Sequence, residues 1–493
     1  MARAMVTPPA RHWSRRDVLQ RGMGSFALLC ALEPGLARRT STATTTSAGK
    51  RAARAAALAP FEAELRVPPE LVPVSSSAAE DVFEVAIREG QAEIMQGTPT
   101  PIYGYQGIYP GPTIRARKGK STVVKVANGV SFEQNVHLHG GLTPEISDGG
   151  PHQLIAPGGD YTYRYTGVQD AATLWYHDHA HGLSARSLYY GLAGFYLLED
   201  ELEDTLELPT GEFELPLMIQ DRAFNADGTL RYSDDVDQGF MGDTVVVNGS
   251  VSPRAAVKRG LYRLRLLNAS NAREYRLELA GGEPLVQIGG DGGLLERPVQ
   301  RNNLPLAPAE RADVLVDFSR FKAGTQLVLT NGLGSGPTGL VMRFDVTGRS
   351  ASSGRVPRTL RPAEGIPAPV TDRRWELMFG SAAVEWQISG QGFDMERVDA
   401  RPELGTTERW QFVNTSHRPH PMHLHGVHFR VLERSGGAVN AGDLGWKDTV
   451  QVRTGETVTV QPYFAPYAGR YVFHCHNLEH QDQAMMGQME IEQ

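Results

Sequence analysis

Cysteine is nearly absent. The 493 residues hold two, Cys30 and Cys475. Cys30 falls in an apolar N-terminal stretch that reads as removable, so the remaining chain keeps one. A single cysteine cannot close an internal disulfide, which excludes a disulfide-braced scaffold. Cys475 is then an inert core residue, a reactive thiol or a metal ligand. Long apolar runs are missing too, for the stretch 22–32 is too short to span a bilayer. Basic residues are scarce beyond residue 58, where 39 Lys and Arg face 54 Asp and Glu, a net charge of −15. That balance argues against nucleic acid or an anionic membrane as partner.

What is present points to a folded, strand-rich chain. The 53 Gly and 31 Pro imply many turns between Val- and Thr-rich runs, which favours β structure over helix. The length suggests about three domains. Near the N-terminus, Ser14-Arg15-Arg16-Asp17-Val18-Leu19-Gln20 precedes the apolar stretch. It resembles a twin-arginine signal with Val18 at the usual Phe position. The resemblance implies export of an already folded protein by the twin-arginine machinery, to the periplasm or the extracellular space. TSTATTTSAGKRAARAAA (40–57) is low-complexity, so residues 1–58 read as signal and linker.

One unit is written three times. GKSTVVKVANG (119–129), GLYRLRLLNAS (260–270) and GTTERWQFVNTS (405–416) each run from Gly through an alternating strand to Asn. A second landmark follows in each copy: AATLWYHDH (171–179), AGTQLVLTN (323–331) and AGRYVFHCH (468–476). Period-2 alternation marks half-buried strands, and the spacing predicts an all-β chain of three tandem β-sandwiches. Their expected limits are 59–205, 206–348 and 376–493, with a Pro/Gly/Ser-rich linker at 349–375.

The copies differ in their chemistry. Nine and eleven residues after Asn128 stand His137 and His139, and at the same offsets from Asn414 stand His423 and His425. The middle copy has Leu277 and Leu279 there. The second landmark carries His177 and His179, then Leu329 and Asn331, then His474 and His476. The histidines are thus additions to a scaffold that forms without them. On a strand, residues i and i+2 share a face, so each H-x-H pair offers two imidazoles to one site. Eight imidazoles suit a cluster of several metal ions, copper or zinc by ligand type. Cys475 points away from its two neighbours and so serves a different ion. With His480 and Met485 five and ten residues on, and His420 three residues before the His423/His425 pair, it makes a blue-copper ligand set of two His, a thiolate and a weak axial Met.

HLHGG (137–141), WYHDHAHG (175–182), HPMHLHG (420–426) and HCHNLEHQDQAMM (474–486) resemble the four copper motifs of the three-domain multicopper oxidases, and the likeness runs along nearly all of the chain after residue 58. It is nearest to bacterial laccase-like members, a group with bilirubin oxidases and cuprous oxidases. The resemblance implies three cupredoxin-like Greek-key sandwiches and four copper ions. It assigns His420, Cys475, His480 and axial Met485 to type 1 copper. It assigns His137 and His423 to type 2, and His139, His177, His179, His425, His474 and His476 to the type 3 pair. The implied reaction takes single electrons from a small-molecule or metal-ion reductant and reduces O2 to water, with no organic cofactor. Asp148 matches an acidic position near the cluster, where a general acid would serve. Asp448 resembles a position near the type 1 histidine that contacts substrates. Relatives often place Glu after the last type 1 histidine, and here Gln481 stands there, leaving Asp482 or a water chain to carry protons. His152, His417 and His428 read as loop or surface residues, and His181 as no ligand.

A rival class is an exported copper-binding protein without oxidase activity. Such relatives lose copper ligands, whereas ten histidines and Cys475 are kept here. A two-domain nitrite reductase is disfavoured by the three copies. Cuprous oxidases often carry Met-rich inserts, because thioethers select Cu(I). The 13 methionines are scattered, with only Met485, Met486 and Met489 clustered, which favours a phenolic or other aromatic reductant.

Overall fold

Asparagine at the end of each copy's first landmark explains the repeat. In the computed structural model, Asn128 Nδ2 donates to the carbonyls of Phe132 (2.9 Å) and Ile155 (2.8 Å), while its Oδ1 accepts from Val130 N–H. Asn268 bonds in the same way to Arg273, Leu306 and Ser270, and Asn414 to Arg418, Val452 and Ser416. One amide thus turns the chain out of its strand and ties it to a later loop or strand. The histidine offsets are constant because this turn is constant.

The structure describes residues 59–350, 354–380 and 384–493. The signal-like segment and Cys30 lie outside the described residues. Strands make 48% of the structure and helices 7%, so the chain is all-β as expected. Six main sheets form three consecutive pairs. The first pair carries strands Glu80–Met95 and Ser121–Asn128 on one sheet and His137–His139, Ala172–His177 and Ala193–Glu199 on the other. The second joins a seven-stranded sheet to a five-stranded one, and the third a five-stranded to a four-stranded one. Each pair closes over its own apolar core, represented by Val126 with Leu174, Leu264 with Leu329, and Phe412 with Phe473. We number these sandwiches one to three. The main strands of sandwich one fall within the expected 59–205, but residues 61–65 pair with sandwich two instead, through Phe61 N–H to Ser252 and Leu65 N–H to Arg254. Strand Leu340–Ser350 also runs into the expected linker.

Register decides which side chains meet. His137 lies opposite His177, and His423 opposite His474. The middle copy would place Leu277 opposite Leu329. Instead Leu277 faces Asn331 and Leu279 faces Leu329, a slip of two residues that keeps every side chain on its face.

Candidate metal centre

Eight buried imidazoles meet between sandwiches one and three. Stacked rings join the two: His137 on His425 with centroids 3.8 Å apart, and His139 on His423 at 3.7 Å. His139, His177 and His476 form one group, with ring centroids 5.1 to 5.6 Å apart. His179, His425 and His474 form a second, in which the Nε2 atoms of His179 and His425 each lie 3.1 Å from that of His474.

The outward nitrogens set the tautomers. His137 Nδ1–H donates to the carbonyl of Asp148 (2.7 Å) and His423 Nδ1–H to that of Asp448 (2.9 Å), leaving both Nε2 atoms buried without a partner. His177 Nδ1–H donates to the Asp178 carbonyl (2.9 Å), and His139 Nε2–H to Asp448 Oδ1 (3.1 Å). The lone pairs left over, on His177 Nε2 and His139 Nδ1, face each other at 3.4 Å. Such a contact repels unless a cation lies against it. Burial pushes His137, His139, His179, His425, His474 and His476 well below the ordinary imidazole value and holds His177 at about 3. The rings are therefore neutral and ready to ligate. This donor set fits copper: imidazole only, inward lone pairs, and outer hydrogen bonds that orient His137, His139, His177, His423, His425 and His474.

A second group sits behind Cys475. Its Sγ lies 3.4 Å from His420 Nδ1 and 3.8 Å from His480 Nδ1, and those two nitrogens are 3.3 Å apart. His480 Nε2–H donates to the Asp237 carbonyl (3.1 Å), and His420 Nε2 meets Ser416 Oγ (2.7 Å). Burial pushes the Cys475 thiol up, against the pull of the Asn477 N–H, so without a metal it stays protonated; a bound cation would displace the proton. Met485 is fully buried in the same core, tied through its backbone to Cys475 and His480. Trp386 stacks on His480 at 4.0 Å and donates its indole N–H to Val236. Residues 236–238 of sandwich two therefore strap this site, with Gln238 taking a bond from Asn477.

The ten expected histidines and Cys475 all fall in these two groups. Asp148 lies behind the imidazoles, its Oδ2 2.8 Å from His425 Nδ1 and its Oδ1 without a partner. Burial, with Glu145 adding to it, pushes this carboxyl well above the ordinary range. Asp448 departs from expectation. It is wholly buried among His139, His423 and Arg311, at the eight-histidine group. Strand Thr449–Val452 runs antiparallel to His420–Leu424 with Thr449 opposite His423, which carries residue 448 to the eight-histidine end. His428 is likewise no surface residue; it is buried and bonds to the Gly140 carbonyl. His417 is half-exposed against Trp386, and His181 is exposed beside Phe393. Trp386, Ser416, Thr449 and Arg311 escaped sequence reasoning, because nothing local marks a residue that acts through another.

Two buried histidine groups, one with Cys475, joined by one H-C-H segment on sandwiches of paired β-sheets, are the donor sets of a copper oxidoreductase of the cupredoxin type. The chain belongs to the multicopper oxidase family, whose sequence profiles match residues 86–203 and 369–493. It is 35% identical to a laccase of Bacillus subtilis (strain 168), over 87% of this chain and 98% of that one. It is 37% identical to the bilirubin oxidase of Albifimbria verrucaria, over 78% and 72%. The crystal structure of a laccase from Pediococcus acidilactici superposes with a TM-score of 0.82 at 34% identity, covering 88% of this chain and 95% of that one.

Proposed function

We propose that this multicopper oxidase is an exported laccase-like enzyme holding four copper ions and oxidising a phenolic or other aromatic reductant. His420, Cys475 and His480, with Met485, would hold type 1 copper. His137 and His423 would hold type 2, and the two groups of three histidines the type 3 pair. Copper bound there would supply the redox chemistry by which four single-electron oxidations of the reductant are matched by reduction of O2, with four protons, to two waters.

The observation that carries this reading is the alternation in His474-Cys475-His476. Cys475 lies with His420 and His480 on one face, while its neighbours lie with the other histidines. One covalent segment thus links the two groups, and reductant and O2 need never meet. Phe379 is 44% exposed and packs on both Trp386 and His417, which offers an aromatic ledge beside the strapped site. Met485, Met486 and Met489, the methionines grouped in sequence, are all buried and present no exposed thioether to Cu(I). Asp148 would hold and deliver protons. Gln481 is buried and lacks a proton to give. Asp482, pushed well up by burial, is the carboxyl beside it and takes the Ala185 N–H at 2.9 Å. The twin-arginine motif supports export.

The copper-loaded chain is expected to show a blue thiolate band near roughly 600 nm and to consume O2 with a phenol. A loaded chain without that band sinks the type 1 assignment. Faster oxidation of Cu(I) than of phenols in a side-by-side panel reverses the substrate class.

A further inference from the structure

Sandwich two supplies no histidine to the centre, yet it sends one side chain there. Arg311 opens strand Arg311–Asp317 and is fully buried. All five of its N–H donors are committed. Nε donates to the carbonyl of Thr173 (3.0 Å), Nη1 to the carbonyl of Ala309 (3.0 Å) and to Asp448 Oδ1 (2.8 Å). Nη2 donates to the carbonyl of Asp291 (3.0 Å) and to Asp448 Oδ2. Thr173 belongs to the strand that ends in His177, and Asp448 precedes a strand of sandwich three. One planar group therefore spans all three sandwiches.

Asp448 passes the constraint on. Its Oδ1 accepts from His139 Nε2 (3.1 Å) and Thr449 Oγ1 (2.8 Å), and its carbonyl accepts from His423 Nδ1 (2.9 Å). Gly140, directly after His139, makes the room: at its φ of 80° a Cβ would lie 2.6 Å from both Arg311 Nη2 and Asp448 Oδ2.

We propose that Arg311 is a positioning residue for the eight-histidine group. By gripping Asp448 in a two-pronged fork, it fixes the tautomer and tilt of His139 and His423, which belong to different ligand sets. The proposal rests on the reading that these histidines hold copper. Charge alone does not suffice, since a lysine ammonium is a point donor that cannot fill five fixed directions.

The test compares Arg311→Lys with Arg263→Lys in the full, copper-loaded chain. Arg263 is an equally buried arginine of sandwich two, bound to Glu203 and Asp313 and to no histidine. The readouts are copper per chain, copper release to a chelator, the blue band and the type 2 paramagnetic signal. Arg311→Lys is expected to release the copper of the eight-histidine group at least about tenfold more readily and to weaken the type 2 signal while keeping the blue band. Arg263→Lys is expected to keep all its copper. Asp448→Asn, of unchanged shape, serves as the second variant should Arg311→Lys not fold, with the same pattern expected. Full copper retention in the folded Arg311→Lys or Asp448→Asn chain overturns the proposal, as does equal loss in Arg263→Lys or parallel loss of the blue band. An unmodified chain that takes up copper only at Cys475 overturns the underlying reading itself.

Discussion

At the scale of the residue, Cys475 has a role no other side chain can fill. Its sulfur faces two nitrogens whose outward partners are already satisfied, and serine lacks the soft donor that copper–thiolate bonding needs. Cys475→Ser is therefore expected to abolish the blue band and remove about one copper per chain. The substitution is nearly isosteric in a buried core, so the circular dichroism spectrum should not change. A retained band would disprove the ligand assignment. Asp148 makes a different case, because its carboxyl touches a histidine and keeps one oxygen free. Asp148→Asn still offers His425 an acceptor but can no longer release a proton. Turnover with a phenol should fall about a hundredfold, with the blue band and the KM for the reductant unchanged. Unaltered turnover would remove Asp148 from the proton path.

At the scale of the element, short strands are positioned by the turns around them. Gly149 has a φ of +73°, and a Cβ there would collide with the Val136 carbonyl directly before His137. Gly158 has a similar φ, +76°, with nothing nearby. Gly158→Ala should cost about 1 kcal/mol from backbone conformation alone. Gly149→Ala adds a clash to the same strain, so its urea midpoint should drop further and its copper uptake should fall. Equal midpoints would show that the turn is not what seats His137. The strands themselves were legible in the sequence because alternation is local: residues two apart share a face whatever lies across from them. The slipped pairing of Leu277 and Leu279 was not legible, since a shift of two leaves the alternation unchanged.

At the scale of the whole molecule, buried charge ties sandwiches one and two together. Arg115 of sandwich one and Arg263 and Arg265 of sandwich two surround Glu214. Burial alone would raise the Glu214 carboxyl, but Arg265, Arg263 and Arg115 outweigh it and hold it at about 2. A carboxyl depressed in the folded state adds stability above its unfolded value and loses it as pH falls towards the folded one. From 4.5 to about 2, this amounts to on the order of 3 kcal/mol. Glu214→Gln should therefore melt below the unmodified chain at pH 6, and the gap should narrow between pH 4.5 and pH 3. A gap that is constant with pH would show that Glu214 is not held ionised.

The sequence by itself determined the three sandwiches, the paired histidines and the place of Cys475 between two of them. These follow from spacing along one strand or one turn, and a strand projects its side chains without reference to its partners. Only the tertiary structure decided that Asp448 lies buried against His139 and His423, that residues 61–65 pair with sandwich two, and that Arg311 reaches across to Asp448. Arg311 and Asp448 stand 137 positions apart, and His139 and Asp448 309 apart. No periodicity spans such distances, so these contacts exist only once the three sandwiches press together and their buried charges must find partners.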